Sequence, residues 1–260
     1  MNKKMDHAAC ADAAPGLPEI TISLVSHGHD AMVQRLLRRL CDSHGGRIEH
    51  VILTHNLPAA RIEPPAGGWP FRFTELFNPR PAGFGANHNR AFASCTTEFF
   101  CVLNPDVELG GAELWCELVK QARRPGTGLA YPVLLNPDGS RQDNERETVT
   151  PAALLGRHLL KRPRRSIDWV SAAFWLVPAA VYRRLGGFDE GFFMYCEDTD
   201  FCLRLRLAHW QFRRADVAVV HNARRSSRTS GRHLAWHLRS LMRLWTGPVL
   251  RRYRDVLTSG

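Results

Sequence analysis

The 260-residue chain is 44% hydrophobic and 23% charged, an ordinary globular composition that excludes a mainly disordered protein. At roughly 100–200 residues per domain it makes one large domain or two small ones. Its net charge of +10 is unevenly placed: residues 204–260 hold thirteen arginines, no lysine and two aspartates.

In chain order, residues 1–18 read as a loose leader ending in Pro15-Gly16-Leu17-Pro18. ITISLVS over 20–26 predicts a strand, and apolar residues at 32, 33, 36, 37 and 40 predict a helix over 30–41. Strands follow over 50–54 and 71–76, separated by a loop over 64–70. A glycine-rich turn opens a helix over 83–94, an apolar strand covers 99–103, and a helix covers 112–124. This alternation predicts a mostly parallel sheet with helices on both faces, whose ligands bind outside the carboxyl ends of the strands. In the second half, a strand over 128–135 runs into the turn Asn136-Pro137-Asp138-Gly139. Residues 141–165 read as a loop or short helices, and 157–165 hold four arginines and a lysine without an acid. A strand over 169–177, a short helix, a helix from Glu197 to about 209, a strand over 212–221 and a basic helix over 232–244 complete the reading.

The longest apolar run, 169–181, is interrupted by Ser171 and Pro178 and falls short of the about 20 residues a bilayer-crossing helix needs. With no apolar stretch of signal-peptide length after the N-terminal lysines, the expected location is cytoplasmic. The seven cysteines form no C-x-x-C pair, which argues against a disulfide framework or a cysteine zinc site. The basic tail is compatible with nucleic acid, an anionic membrane surface or a phosphorylated substrate, and charge alone does not choose.

Asn-Pro-Asp occurs twice. At 136–138 it is a turn; at 104–106 it ends a buried-looking strand at the ligand-binding rim. There Asp106 can offer hard oxygen ligands to Mg²⁺ or Mn²⁺, or cap the next segment. Glu197, Asp198 and Asp200 open a helix: they answer the helix dipole, Asp200 can pair with Arg204 at i, i+4, and Asp198 can serve as a general base. His221 at a strand end is a structural histidine or a metal ligand. Gly83, Gly85 and Asn87 mark a turn whose backbone amides can meet a phosphate, although the spacing is no complete phosphate-loop motif.

Taken together these pieces resemble the family 2 glycosyltransferases of the GT-A fold, especially bacterial rhamnosyltransferase-like members that build surface polysaccharide such as O-antigen lipopolysaccharide. The resemblance rests on ITISLVSHGH, on Asn78 followed by GFGANHNRAFASCTTEFFCVLNPDVEL, on WVSAAFWLVPAAVYRRLGGFDEGFFMYCEDTDFCLRLR, and on VVHNA. It implies a single GT-A (Rossmann-like) domain over 19–225, with a mixed, mostly parallel sheet flanked by helices. The donor half would cover about 19–125 and the acceptor half about 126–225, with a basic helical tail over 226–260. Asn104 and Asp106 then match the D-x-D motif, with Asp106 at a divalent cation joined by His221. Asp198 matches the base, beside Glu197. Ser26, His27, His55, Asn56, Gly83, Gly85, Asn87 and Asn104 fall at the donor site. The implied reaction is inverting transfer from a dTDP- or UDP-sugar to a lipid-diphosphate-linked glycan, rhamnose or a similar sugar being moved. The tail would touch an anionic membrane surface as a peripheral contact at the inner face of the plasma membrane, and 157–165 would meet the acceptor diphosphate. The chain departs from the family at Ser26-His27-Gly28-His29, where Thr-Tyr-Asn is usual, and at His55, where an aspartate usually helps hold the nucleoside. The rival readings are an inactive scaffold of this fold and, disfavoured by the absence of any base-reading element, an arginine-rich nucleic-acid-binding protein.

Overall fold

The computed structural model describes residues 19–43, 46–111, 113–148, 166–223 and 231–259. The leader 1–18 and the basic run 157–165 lie outside the described residues, as does 224–230 at the start of the tail.

Ten strands are present among the described residues: β1 (Ile20–Ser26), β2 (Ile48–His55), β3 (Arg72–Phe77), β4 (Phe99–Leu103), β5 (Val107–Glu108), β6 (Thr127–Leu135), β7 (Glu145–Arg146), β8 (Trp169–Val170), β9 (Phe174–Pro178) and β10 (Gln211–His221). Seven helices accompany them: α1 (Asp30–Ser43), α2 (Phe84–Phe92), α3 (Glu113–Ala122), α4 (Ala179–Arg184), α5 (Glu197–Leu207), α6 (Gly231–Thr246) and α7 (Pro248–Ser259). One eight-stranded sheet runs β3-β2-β1-β4-β9-β6-β10-β5, and β7 pairs with β8 apart from it. The β1, β2, β3 and β4 ladders are parallel, as is β6 with β10; β9 and β5 join antiparallel. The sheet is therefore mixed and mostly parallel, and β9, inserted between β4 and β6, makes the two halves of the chain one domain.

Burial explains the strand sequences. All five residues of β4 (FFCVL) are buried, because helices cover both faces. Phe99, Cys101 and Leu103 pack toward Leu37 and Leu40 of α1 and Leu114, Trp115 and Leu118 of α3. Phe100 and Val102 turn instead to Ala91 of α2, Tyr182 of α4 and Phe201 of α5. Helices α6 and α7 add a smaller cluster, in which Leu244, Leu250 and Tyr253 close over Phe192, Cys196 and Leu203.

Two expectations change. The single strand expected over 169–177 is two, because β8 pairs with β7 and the Ser171 amide then donates to Asn144 O (2.9 Å), leaving 171–173 as a crossing between sheets. The helix expected over 232–244 extends to Thr246 and is followed by α7; the break falls at Gly247, with Pro248 at the first helical position, where its missing N–H costs nothing.

Candidate active site

The parallel register aligns the carboxyl ends of β1 and β2, with Ser26 opposite His55, and β4 ends beside them. Just past β4, the Asn104 amide donates to Ala173 O (2.9 Å) and the Asn222 amide donates to Asp106 O (2.9 Å). The second bond ties the Asp106 loop to the end of β10, where His221 Nε2 stands 3.3 Å from Asp106 Oδ1. Gln142 orients that imidazole. Its Nε2 donates to His221 O (2.7 Å), an atom that can only accept, so its Oε1 faces His221 Nδ1 at 2.9 Å. The Nδ1 therefore carries the hydrogen, and in the neutral ring the Nε2 lone pair points at the carboxylate. Asp106 Oδ1 is buried with no hydrogen-bond donor. Two acceptors facing each other at this distance call for a proton or a cation between them. A histidine whose other nitrogen is held by an amide and a carboxylate beside it form a donor set that fits a divalent metal. Among the described residues no group of three His, Cys, Asp or Glu forms a closed metal cage. Asp106 also lines a cavity of about 760 Å³ whose wall includes Arg35, Arg38 and Arg39 of α1.

The second acid comes from α5. Tyr195 and Cys196 both adopt left-handed backbone (φ 72° and 66°), a conformation non-glycine residues rarely take, and this turn starts α5. Asp198 Oδ1 accepts the Thr199 amide (2.7 Å) and the carboxylate also takes a backbone hydrogen bond from Ala172. Ala172 and Ala173, consecutive residues of the crossing, thus touch Asp198 and Asn104 respectively, so both acidic motifs rest on one short segment. Burial raises the Asp198 pKa above the ordinary carboxylate value, opposed by these backbone donors and by the Arg146 guanidinium. Glu197 is buried, its Oε2 lacks a partner, and burial followed by the Asp198 charge pushes its pKa well up. Burial thus disfavours the charge on both acids, and a neighbouring cation, Arg146, opposes it at Asp198. Asp200 turns away and pairs with Arg204 Nε at 2.8 Å, the i, i+4 contact its spacing predicts.

The remaining sequence-predicted residues form a wall behind the strand ends rather than an open set of ligand donors. Ser26 Oγ donates to Asp30 Oδ1 (3.1 Å) and accepts the His29 amide (3.1 Å), bracing the β1–α1 turn. Asn56 is fully engaged: Oδ1 accepts from the Ala82 amide and Asn78 Nδ2 (both 2.8 Å), and Nδ2 donates to Ala82 O (2.9 Å). Asn87 accepts from Asn78 (2.6 Å) and donates to Gly83 O (2.9 Å). Gly83 and Gly85 serve close packing. A Cβ at Gly83 would lie 2.8 Å from Phe192 O, one at Gly85 2.5 Å from Phe188 Cβ, and the Phe84 amide is already taken by Phe193 O (2.9 Å). His55 is buried, stacked on Phe77, and bonded through Nε2 to Glu75 Oε1 (2.8 Å). His27 is the exposed member of the group, contacting Asn56 Nδ2 at 3.3 Å.

Sequence reading missed a third wall. His233, Trp236 and His237 lie on one face of α6. Tyr195 bonds His233 Nδ1 through its hydroxyl (2.9 Å) and packs against His237 (ring centroids 5.0 Å), while Phe193 meets Trp236 (4.9 Å). The His27 pKa is lowered by burial and then by the charges of His29 and His233; that of His237 by burial and then by Arg146. Arg146 thus faces both Asp198 and α6, and α6 reaches across to the end of β1. The spacing of 233, 236, 237 and 240, which falls on one helical face, is the signal for this wall.

This architecture is that of the GT-A glycosyltransferases. Among solved structures, a mannosyltransferase from Pyrobaculum calidifontis in complex with GDP-Man and Mn²⁺ aligns at a TM-score of 0.61, with 16% identity over 89% of this chain and 67% of that one. Glucosyl-3-phosphoglycerate synthase from Mycobacterium tuberculosis, with Mn²⁺, UDP and phosphoglyceric acid, aligns at 0.59, with 13% identity over 89% and 80%. No protein-family model matches the chain. Curated relatives do: the rhamnosyltransferase WbbL of Escherichia coli is 27% identical, covering 86% of this chain and 91% of that protein. The N-acetylglucosaminyl-diphospho-decaprenol L-rhamnosyltransferase of Mycobacterium tuberculosis is 29% identical, over 61% and 62%. The chain is thus similar, in fold and in sequence, to family 2, rhamnosyltransferase-like glycosyltransferases. No helix among the described residues is long and apolar enough to cross a membrane.

Proposed function

We propose that the chain transfers rhamnose or a similar sugar, with inversion, from a dTDP- or UDP-sugar to a lipid-diphosphate-linked glycan during cell-surface polysaccharide synthesis. The observation that supports this reading is the crossing at 171–173, on which both the Asn104–Asp106 turn and the Asp198 carboxylate rest. Asp106 and His221 would hold Mg²⁺ or Mn²⁺, which when bound supplies positive charge to the departing diphosphate. Asn104 and His27 border the donor, and Ser26, His55, Asn56, Gly83, Gly85 and Asn87 keep that border in place. Asp198 removes the proton from the acceptor hydroxyl as it attacks the anomeric carbon, and its raised pKa makes it a stronger base than a solvated aspartate. Arg146 stands where it can steady the carboxylate and an acceptor phosphate. Asp106 is committed to the leaving group, so one base and no nucleophilic carboxylate serve the reaction, which corresponds to single displacement. The names of the relatives support the sugar and the acceptor class.

A panel of nucleotide sugars, titrated with and without Mn²⁺ and then followed for release of nucleoside diphosphate, tests the reading. Mn²⁺-dependent stabilisation by dTDP- or UDP-sugars, with turnover on a lipid-diphosphate glycan, is the expected result. Donor binding without turnover on any such acceptor would leave a scaffold, and no donor binding at all would remove the assignment.

A further inference from the structure

Helix α7 reaches back to the ribbon of β7 and β8 through one buried carboxylate. Asp168 accepts three donors: the Tyr253 hydroxyl (2.9 Å) and Ser166 Oγ (2.8 Å) at Oδ1, and the Thr148 amide (2.7 Å) at Oδ2. Its own amide donates to Arg146 O (2.9 Å). Asp168 therefore grips the chain on both sides of Glu147, once at Arg146 and once at Thr148. The grip matters because each strand of the ribbon has two residues, too few to hold its register unaided. Tyr253 is buried, and its ring belongs to the cluster that includes Cys196 and Leu203 of the α5 segment. Burial, then the Asp168 charge, raises the pKa of this phenol, which keeps it a donor.

We propose that Tyr253 is a positioning residue for the base: through Asp168, its hydroxyl fixes the β7 segment that directs the Arg146 charge at Asp198. Arg146 Nε donates to Asp143 O (2.9 Å) and the guanidinium lies over the Trp169 ring (5.3 Å), so the geometry of the ribbon decides where that charge falls. It acts on Asp198 and on His237 of α6. The other titratable neighbours of Asp198 stand beside it on α5 or in the turn before it. Burial pushes the Glu197 pKa well up and keeps Cys196 and Cys202 as thiols. Of these groups Arg146 is the cation, and it alone belongs to another element. A helix with no group in the reaction would thus help set the strength of the base. That consequence rests on Asp198 being the base; the linkage from Tyr253 to the Asp198 carboxylate does not.

The test is the pH titration of the Asp198 carboxylate in the full chain carrying ¹³C-carboxyl aspartate, its resonance assigned by its absence from Asp198→Asn. Tyr253→Phe keeps the ring and deletes the hydroxyl, and should move the titration up by about half a pH unit. The sign follows from the charge: loosening a cation from a carboxylate favours the protonated form. Arg146→Gln should move it up by about one unit, and adding Tyr253→Phe to that variant should move it no further. Asp168→Asn breaks the same chain of contacts at a second point and should shift it in the same direction. Exchange of the Thr148 amide hydrogen should quicken about tenfold in Tyr253→Phe, while the amides of β4 keep their protection. The acid limb of kcat should follow the titration, with donor KM unchanged. A titration indifferent to both Tyr253→Phe and Asp168→Asn overturns the proposal, and so does an equal shift on the Arg146→Gln background. A titration that moves as stated in a chain that turns over no acceptor refutes the reading of Asp198 as base and leaves the linkage standing. Turnover lost in Asp198→Asn, with a titration indifferent to Tyr253, does the reverse.

Discussion

Replacing Asp198 by asparagine isolates the base. The substitution keeps the side-chain volume and an oxygen that can still accept the Thr199 amide, so α5 should start as before. It removes the group that takes the acceptor proton, and positioned general bases contribute about 10²–10⁴-fold. A fall in kcat of about 10³-fold, or roughly 4 kcal/mol of transition-state stabilisation, is therefore expected. Donor affinity should stay within about threefold, because Asp198 belongs to α5 while the donor border comes from the ends of β1, β2 and β4. Stability should not suffer. Both Asp198 and Glu197 have pKa values raised by burial, so ionisation is disfavoured in the folded chain and stability is lost as pH rises through and above the ordinary carboxylate range. The asparagine variant escapes that loss at neutral pH and should melt at or above the wild-type temperature. The acid limb of the wild-type rate, set by ionisation of Asp198, should lie above the ordinary aspartate value and vanish in the variant. The assay is single-turnover release of nucleoside diphosphate in the presence of acceptor, with donor titration and melting run in parallel. Turnover within tenfold of wild type, in a folded variant that binds donor normally, would refute the assignment of the base.

Gln142→Leu removes the amide that orients His221 without touching either proposed ligand, and Mn²⁺ affinity should fall about 10–100-fold by direct metal titration. His55→Asp, which restores the residue common in the family, would set a second carboxylate against buried Glu75; a loss of about 3 kcal/mol, growing as pH rises through the carboxylate range, should appear in denaturant unfolding. Gly83→Ala drives a methyl group to within 2.8 Å of Phe192 O, and overpacking of this kind costs about 1–3 kcal/mol, read as a fall in Tm of several degrees.

Strand β4 and helix α1 were legible because a strand buried on both faces is apolar throughout and a covering helix is apolar every third or fourth residue, and β1 was legible from its alternation of apolar and small polar residues. The Asp200–Arg204 pair was legible for the same reason: its geometry lies within one helix. What periodicity could not carry was long-range partnership. The pairing of β7 with β8, which splits the expected strand, involves two-residue segments with no pattern of their own. Gln142 reaches His221 across 79 residues, and nothing in its local sequence marks it. His55 at a strand end looked like a ligand-facing residue, but the carboxylate it answers sits on β3, one strand over, and turns it inward. Gly83 before α2 and Gly85 in its first turn invited a phosphate; the 188–193 segment that packs on them was invisible without the fold.

The crossing at 171–173 also explains why the two acids are built so differently. Asp106 sits in a loop between two strands of the sheet, held through its backbone by Asn222 while one carboxylate oxygen stays unsatisfied. That arrangement is costly unless a cation joins it, so its full stability belongs to the metal-loaded state. Asp198 instead has backbone donors and Arg146 that partly offset the burial that raises its pKa. One acid is therefore organised by what binds and the other by the fold. Both rest on the Ala172–Ala173 segment, whose two residues are buried. A side chain larger than alanine at 173 should therefore disturb the packing under both acidic motifs, even though it would touch neither substrate.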